Sequence, residues 1–233
     1  MSRGRLPAHN RYDFTRAILR LPEEHVAMSL PLIRRLLILL SLFCLTGLPV
    51  NAADLRDGDI IFQVSRSPQS KAIQKATGSR YSHMGIIIHR SGFPQVFEAA
   101  AKVRYTPLSD WIRRGVHGKY VVKRLRNADY LLNGETLSKL RRVAEELRGK
   151  PYDPCFEWSD TRIYCSELVW KIYKRTLEME VGRPQKLGDL NLSAPIVRKA
   201  LQKRYGRRIP LGEKVISPAA MFNSKELVTV EKE

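Results

Sequence analysis

The residue most suited to covalent chemistry in this sequence is Cys165, within the run Tyr164-Cys165-Ser166-Glu167-Leu168-Val169-Trp170. Apolar residues recur after it at helical spacing, so the pattern predicts a helix that begins at or just before the cysteine. The unpaired N–H groups and the positive dipole end of a helix N-terminus favour a thiolate, and the same N–H groups can bind a developing oxyanion. The position therefore suits a nucleophile; the alternative is a buried structural cysteine on an amphipathic helix.

A thiolate nucleophile needs a base within hydrogen-bonding reach and a third polar group that orients the base. His83 is the candidate base, at the start of the predicted strand 81–89. Glu98 is the candidate orienting group, because a hairpin turn at Ser91-Gly92 brings its strand alongside and places the two residues roughly cross-strand. A carboxylate in an otherwise apolar strand also requires a partner.

The other histidines of the chain are weaker candidates for the base. His89 shares a strand face with His83 but lies beside the predicted turn, and His117 sits in a glycine-flanked loop where we expect it to be exposed. The alternative for His83 is a structural role, either as a hydrogen-bonded core residue or as a surface residue. Glu98 likewise has one, as an edge-strand charge that discourages aggregation.

The elements that must position these residues form one α+β domain. Predicted strands lie near 60–64, 81–89, 95–99, 119–125 and 227–230, with 102–105 continuing the third strand. Predicted helices lie near 67–77, 107–114, 134–148, 165–177, 194–205 and 217–222. No internal repeat or low-complexity linker divides residues 53–233, so we predict a single domain there.

The N-terminal part of the chain reads as a targeting segment. Residues 1–27 are polar and basic, and are either an added extension or a misassigned start. Residues 28–52 contain Arg34-Arg35, an apolar run and then small residues, which predicts a secretory signal with cleavage after Ala52. The expected location is the periplasm or cell envelope. The apolar run is shorter than the about 20 residues of a membrane span, but an uncleaved N-terminal anchor remains the alternative.

The charge of the chain suggests an anionic neighbour. The 233 residues carry a formal net charge of +18. Removal of residues 1–52 takes away seven of the 41 basic and three of the 23 acidic residues, which leaves 34 and 20 and a net charge of +14. An anionic envelope surface is one candidate partner, but the Lys and Arg residues are spread along the chain, so a diffuse surface charge is the preferred interpretation. Zinc-finger spacing and an aromatic RNA-binding signature are both missing, so no nucleic-acid partner is expected.

Two cysteines, Cys155 and Cys165, remain in the predicted mature domain. In an exported protein they could form a disulfide, but two cysteines are too few for a disulfide-dependent scaffold. A zinc site built from His83, Glu98 and Cys165, with or without Cys155, is a second alternative. Because no short His/Cys ligand spacing supports that site, we predict no metal and no cofactor.

Five runs of the sequence, taken in order, carry a resemblance to a known family. They are Gly58-Asp59-Ile60-Ile61-Phe62, Ser82-His83-Met84-Gly85-Ile86, Phe97-Glu98-Ala99, Pro151-Tyr152-Asp153 and Tyr164-Cys165-Ser166-Glu167-Leu168-Val169-Trp170. From about residue 55 onward the chain resembles the YiiX/YebB-like branch of the NlpC-type papain-like cysteine hydrolases. In that branch the papain-like core is circularly permuted, and the order His83, Glu98, Cys165 fits the permutation.

The resemblance implies a permuted papain-like fold, with a small antiparallel sheet or barrel packed against helices. It implies Cys165 as nucleophile, His83 as base and Glu98 as orienting group. The implied activity is a cysteine hydrolase or amidase that cleaves an amide or ester bond in an envelope peptide or a lipid-linked amino acid. Two alternatives are a lipid acyl hydrolase or acyltransferase of the same fold, and a non-catalytic wall- or lipid-binding domain.

Three further residues are predicted to contact substrate: Tyr164, Tyr152 and Ser82. Tyr164 either donates to the oxyanion or forms a wall of the pocket, and Tyr152 carries the same alternatives. Simple core packing is the structural alternative for Tyr164. Asp59 is predicted to be structural, because an Asp between a turn and a strand commonly binds nearby backbone N–H groups. The sequence leaves the oligomeric state undetermined.

Overall fold

The computed structural model describes residues 55–232. The predicted extension (1–27) and the predicted signal segment (28–52) with its cleavage position lie outside the described residues. Within residues 55–232, no helix is long and apolar enough to cross a bilayer.

Strands and helices alternate irregularly along the described part of the chain. The strands are β1 (Ile60–Ser65), β2 (His83–Arg90), β3 (Phe93–Ala99), β4 (Val103–Pro107), β5 (Gly115–Leu125), β6 (Gln185–Lys186), β7 (Lys214–Val215) and β8 (Leu227–Lys232). The helices are α1 (Ser70–Thr77), α2 (Leu108–Arg113), α3 (Ala128–Leu131), α4 (Gly134–Leu147), α5 (Cys165–Leu177), α6 (Pro195–Tyr205) and α7 (Pro218–Phe222), with a 3₁₀ turn at Leu187–Asp189.

The main sheet has six antiparallel strands in the order β4-β3-β2-β1-β5-β8, and β6 and β7 form a separate two-stranded ladder. This confirms the predicted α+β class with an antiparallel sheet. Side-chain alternation divides the sheet into two faces. Phe62, Met84 and Ile86 face the main core with the buried side of α5. Ile61, Ile87 and Trp111 form a smaller core on the other face, beneath α2.

Three predicted boundaries are wrong, and the two strand boundaries among them fail because of pairing beyond the local pattern. Residues 102–105 do not continue β3; the chain turns and returns as the separate strand β4, antiparallel to β3. Strand β5 begins at Gly115 rather than 119, because a register shift in β1 lets Ser65 pair with Gly115. Helix α1 begins at Ser70, three residues after its predicted start.

The β2–β3 hairpin sets the relation between His83 and Glu98. Its turn is built by Ser91 at φ 51° and Gly92 at φ 80°, a left-handed pair typical of tight hairpins. Because Ile86 pairs with Phe97, Gly85 falls opposite Glu98, and His83 lies two residues further along. The prediction that His83 and Glu98 are roughly cross-strand is therefore imprecise: they are diagonal neighbours on one face.

Gly85 leaves room for this diagonal contact, which gives a stability prediction. A Cβ at position 85 would overlap Val96 Cγ1 and lie 2.8 Å from the Phe97 carbonyl oxygen. We expect Gly85→Ala to lower the free energy of unfolding by about 1–3 kcal/mol, measured by urea denaturation. The matched control is Gly134→Ala, where nothing lies within 4 Å of the new Cβ and helix propensity favours alanine. Equal stability of the two variants would contradict the prediction.

Candidate active site

Cys165 is the first residue of α5, as the sequence predicted, and is 4% exposed. Tyr164 is the N-cap residue, and its carbonyl accepts the first helical hydrogen bond from Leu168 N at 2.9 Å. The N–H groups of the first helical turn have no carbonyl partner within the helix. The thiol therefore lies beside the positive end of the helix dipole, where a thiolate is favoured.

The residues that flank Cys165 fix the start of α5 against the segment at Ile216. The Tyr164 hydroxyl accepts a hydrogen bond from Ile216 N at 3.0 Å, and Ser166 Oγ donates to the Ile216 carbonyl at 2.8 Å. Glu167, fully buried, accepts from Tyr164 N at 3.4 Å and pairs with Lys171 Nζ at 2.7 Å. These bonds hold the start of α5, and with it Cys165, in a fixed position.

His83 and Glu98 are directly bonded. His83 Nε2 lies 2.6 Å from Glu98 Oε2, with the Glu98 side chain fully buried and the imidazole 14% exposed. The Trp111 ring stacks beside the imidazole, with centroids 5.9 Å apart and planes 25° from parallel. Because Nε2 is held by Glu98, the ring presents Nδ1 as its second nitrogen.

The Glu98 carboxylate is held ionised by several donors. Its Oε1 accepts from Thr106 Oγ1 at 2.7 Å and from Arg114 Nη2. Burial alone would raise the pKa of Glu98, but the hydrogen bond and charge of His83, with Thr106 and Arg114, lower it from 4.5 to about 2. Sequence reasoning missed Thr106 and Arg114, because neither lies in a motif and only the β3–β4 pairing and the end of α2 bring them to the carboxylate.

The imidazole is also in contact with the thiol. Burial alone would lower the pKa of His83, but hydrogen bonds and charge interactions with Cys165 and Glu98 raise it from 6.5 to about 9. The structure therefore brings the three predicted residues together, with His83 between the sulfur and the carboxylate. Chemically, the arrangement favours a thiolate–imidazolium pair.

The remaining histidines of the described chain lie outside this cluster. His89 Nδ1 bonds to Asp57 Oδ1 at 2.7 Å near the hairpin turn, and Asp57 also binds Arg141. His117 is exposed, as the sequence predicted, although it lies within β5 at φ 58° rather than in a loop. Asp59 is fully buried, accepts from Arg56 N at 2.8 Å and binds Arg124, in keeping with a structural role.

Ser82 and Tyr152 both line a cleft on the His83 side of the site. Ser82 Oγ accepts from Ser65 N at 2.9 Å and lies 2.6 Å from Ser70 Oγ, so its hydroxyl already ties β1 to α1. The Tyr152 hydroxyl accepts from Gln69 Nε2 at 2.7 Å. That bond leaves the phenolic proton of Tyr152 available to a ligand.

The loop that leads to Cys165 is organised by Asp153. This side chain, 1% exposed, accepts from Cys155 N at 2.8 Å and from Glu157 N at 2.5 Å. Cys155 and Cys165 are both free thiols, so the structure contains no disulfide between them. Burial raises the pKa of the Cys155 thiol, and the carboxylate of Asp153 adds to that effect.

Metal ligation was the second chemical alternative for these side chains. Among residues 55–232, no three His, Cys, Asp or Glu side chains are arranged to hold a metal ion. The Glu98 oxygens are instead bonded to His83, Thr106 and Arg114. The donor set of the cluster therefore fits proton transfer better than metal coordination.

Comparison with known proteins gives three concordant matches. The family model described as "Permuted papain-like amidase enzyme, YaeF/YiiX, C92 family" matches residues 54–231. "Uncharacterized protein YiiX" of Escherichia coli (strain K12) is 51% identical over 195 residues, which cover 84% of this chain and 95% of that protein. The crystal structure of "metalloprotein yiiX" from Escherichia coli O157:H7 is 53% identical, with a TM-score of 0.73 over 76% of this chain and 97% of that one.

Proposed function

Since this chain belongs to the permuted papain-like amidase family of YaeF and YiiX, we propose that it is a cysteine hydrolase acting through Cys165, His83 and Glu98. The observation that carries the proposal is the His83 imidazole, which bonds to buried Glu98 at 2.6 Å and contacts the thiol at the start of α5. Cys165, His83 and Glu98 then have the roles of nucleophile, base and orienting group in a catalytic triad.

Acylation begins with the thiolate of Cys165 and the imidazolium of His83. The sulfur attacks the carbonyl carbon of an amide or ester, and an S–C bond forms as the oxygen becomes negative. Backbone N–H groups at the start of α5 bind this oxyanion. When the tetrahedral intermediate collapses, the C–N or C–O bond breaks and His83 gives its proton to the leaving amine or alcohol.

Deacylation returns the enzyme to its starting state. Neutral His83 takes a proton from water, and the resulting hydroxide attacks the thioester carbonyl. The S–C bond breaks, the carboxylic acid leaves, and the thiolate–imidazolium pair is restored. Glu98 keeps the imidazole in the useful orientation and stabilises its positive charge during both halves of the reaction.

The proposed substrates are envelope peptides or lipid-linked amino acids, and the proposed location is the periplasm or cell envelope. Two features of the sequence support this placement. Residues 28–52 have the pattern of a secretory signal, and residues 53–233 carry a net charge of +14. A basic protein is attracted to an anionic envelope surface, and this attraction weakens as salt is added.

The direct test of the nucleophile is selective thiol labelling. We expect iodoacetamide to alkylate Cys165 of the folded, reduced full chain at least about tenfold faster than Cys155, because thiolate content sets the rate. Peptide mapping by mass spectrometry over a time course separates the two sites, and Cys155 serves as the internal control. Labelling of Cys155 while Cys165 stays unmodified would exclude Cys165 as the nucleophile. Labelling without turnover of any amide or ester would favour a binding domain.

The related protein from Escherichia coli O157:H7 is called a metalloprotein, so a metal requirement needs its own test. Within residues 55–232, His83, Glu98 and Cys165 are not arranged to hold a metal ion together, and the proposed steps use none. We expect hydrolysis rates to stay within about twofold after EDTA treatment and desalting, since proton transfer by His83 continues. Loss of activity with EDTA and recovery with Zn²⁺ would instead support metal-dependent chemistry.

A further inference from the structure

An apolar pocket lies beside Cys165, between α1, the start of α5 and α6. Most of its walls are aliphatic side chains, among them Ala72, Ile73, Ala76, Ala200, Leu201 and Val215. Cys165 is itself one of the lining residues. Because the acyl carbon of the substrate becomes bonded to Cys165 Sγ, a side group on the acyl half of the substrate is within reach of this pocket.

The apolar pocket is small, with a volume of about 70 Å³. For comparison, an apolar cavity of about 150 Å³ holds one benzene molecule. By that standard the pocket has room for about three or four carbon atoms, which is the size of a valine or leucine side chain. A long hydrocarbon chain does not fit inside it.

The walls of the pocket are tied to the rest of the fold, so its size is fixed. On the α5 side, the Tyr164 hydroxyl accepts from Ile216 N at 3.0 Å. On the α6 side, Arg204 donates to Gln69 Oε1 at 2.9 Å. Four buried side chains pack together behind these bonds: Leu187, Val197, Leu201 and Val215. Since packed interiors resist expansion, a larger group would meet steric strain.

The polar side chains that line the pocket already have partners. Thr77 and Ser166 donate to backbone carbonyls, and Ser217 accepts from Ala220 N. A polar group that entered would lose its hydrogen bonds to water without gaining equivalent ones. The pocket therefore selects an aliphatic group.

The cleft on the His83 side differs from this pocket in size and in chemistry. Its volume is about 810 Å³, and most of its lining residues are polar, among them Gln63, Gln69, Ser82 and Tyr152. His83, which also lines the cleft, gives its proton to the leaving group, so the leaving half of the substrate lies there. The two cavities together suit a largely polar substrate with one small aliphatic group beside the reactive carbonyl.

We propose that the apolar pocket is a size-limited specificity subsite, which takes an aliphatic side chain of about three or four carbons from the residue whose carbonyl Cys165 attacks. This inference rests on the proposed cysteine hydrolase function and deepens it by naming the acyl half of the substrate. It disfavours the alternative of a lipid acyl hydrolase, because a long acyl chain exceeds the pocket.

The first test is acylation of Cys165 in the full chain by p-nitrophenyl esters of straight-chain acids from acetate to decanoate, below micelle-forming concentrations. Released p-nitrophenol gives the rate constant, normalised to the spontaneous hydrolysis of each ester, and intact-protein mass spectrometry confirms the acyl-enzyme. We expect the rate constant to rise about fourfold for each added methylene up to pentanoate. It should not rise further from hexanoate to decanoate.

A second set of esters tests whether the pocket takes the side chain of an amino acid residue. The p-nitrophenyl ester of N-acetylleucine should acylate Cys165 at least about tenfold faster than that of N-acetylglycine. The ester of N-acetyltryptophan should return to about the glycine rate, because the indole exceeds the pocket volume. Equal rates for the leucine and glycine esters would overturn the assignment to a residue side chain.

Variants link the size limit to this pocket. Ala200→Leu narrows the pocket and should remove the rise from acetate to pentanoate. Val215→Ala widens it and should extend the rise to at least hexanoate, a gain that misfolding cannot produce. Gln202→Leu is the matched control for Ala200→Leu, since Gln202 is exposed on the same helix and does not line the pocket. It should keep the wild-type dependence.

The esters also distinguish failure of this inference from failure of the proposed function, with Cys165→Ser as the control for reaction at other groups. A rate constant that keeps rising to decanoate, or that is equal for all chain lengths, overturns the size-limited subsite and leaves the cysteine hydrolase standing. So does a length dependence that neither Ala200→Leu nor Val215→Ala changes. Absence of acylation by every ester overturns both.

Discussion

Replacing Cys165 with alanine is expected to abolish turnover while the fold is kept. The S–C bond of the acyl-enzyme forms at this sulfur, so the covalent route ends with its removal, and we expect a loss of at least about 10³-fold in kcat. The side chain is small and 4% exposed, so alanine leaves only a small void, and the helix start stays anchored through Tyr164 and Ser166 to Ile216.

The measurement pairs steady-state hydrolysis of the ester p-nitrophenyl acetate with intact-mass detection of an acyl-enzyme and thermal unfolding by circular dichroism. Cys155→Ala is the matched control, because Cys155 is a free thiol in the approach loop and lies outside the triad. That control should retain both the rate and the acyl-enzyme. If Cys165→Ala kept the wild-type rate, the nucleophile would have to be another group, and the proposed mechanism would be wrong.

The position of Cys165 was predictable because it depends on local sequence. Helical spacing after the cysteine, with a polar turn before it, is sufficient to place it at the start of α5. The hairpin was also predictable, since Ser91-Gly92 suits a left-handed turn. Once α5 and the β2–β3 hairpin are placed, the contacts among Cys165, His83 and Glu98 are largely determined.

The support around Glu98 was not predictable, because it depends on pairing between distant segments. The separate strand β4 brings Thr106 to the carboxylate, and its start was mistaken for the end of β3. Arg114 reaches Glu98 from the connection between α2 and β5, where no spacing rule marks it. The diagonal offset of His83 and Glu98 depends on the strand register, which a turn position alone gives only to within about two residues.

Two cavities beside the triad, an apolar pocket lined in part by Cys165 and a cleft lined in part by His83, were likewise not predictable from the sequence. The apolar pocket combines residues of α1 and α6, which are far apart in the chain, with the start of α5. The sequence predicted only a helix near 194–205 and assigned no role to its aliphatic residues. Their placement next to Cys165 shows that some of them line a cavity.

Glu98→Gln is expected to have the second-largest effect, because it removes a charge and nearly conserves shape. Ionised Glu98 holds the His83 imidazolium, and an amide cannot neutralise it, so we expect kcat to fall by about 10²–10⁴-fold. Thr106 can still bond to the amide oxygen, and Arg114, partly exposed, can turn to solvent. Glu145→Gln is the matched control, since Glu145 binds the Tyr105 hydroxyl at 2.9 Å away from the triad.

The pH dependence separates an electrostatic role for Glu98 from a merely structural one. The His83 pKa of about 9 lies above 6.5, so the stability that its protonated form contributes is present below pH 6.5 and lost as pH rises through about 9. The Glu98 pKa of about 2 lies below 4.5, so its contribution is present above pH 4.5 and lost as pH falls through about 2. Loss of the carboxylate lowers the His83 pKa, so the alkaline limb of kcat/KM should move to lower pH in Glu98→Gln. A reduced rate with an unmoved alkaline limb would contradict this role, because His83 would then hold its proton equally well without the charge of Glu98.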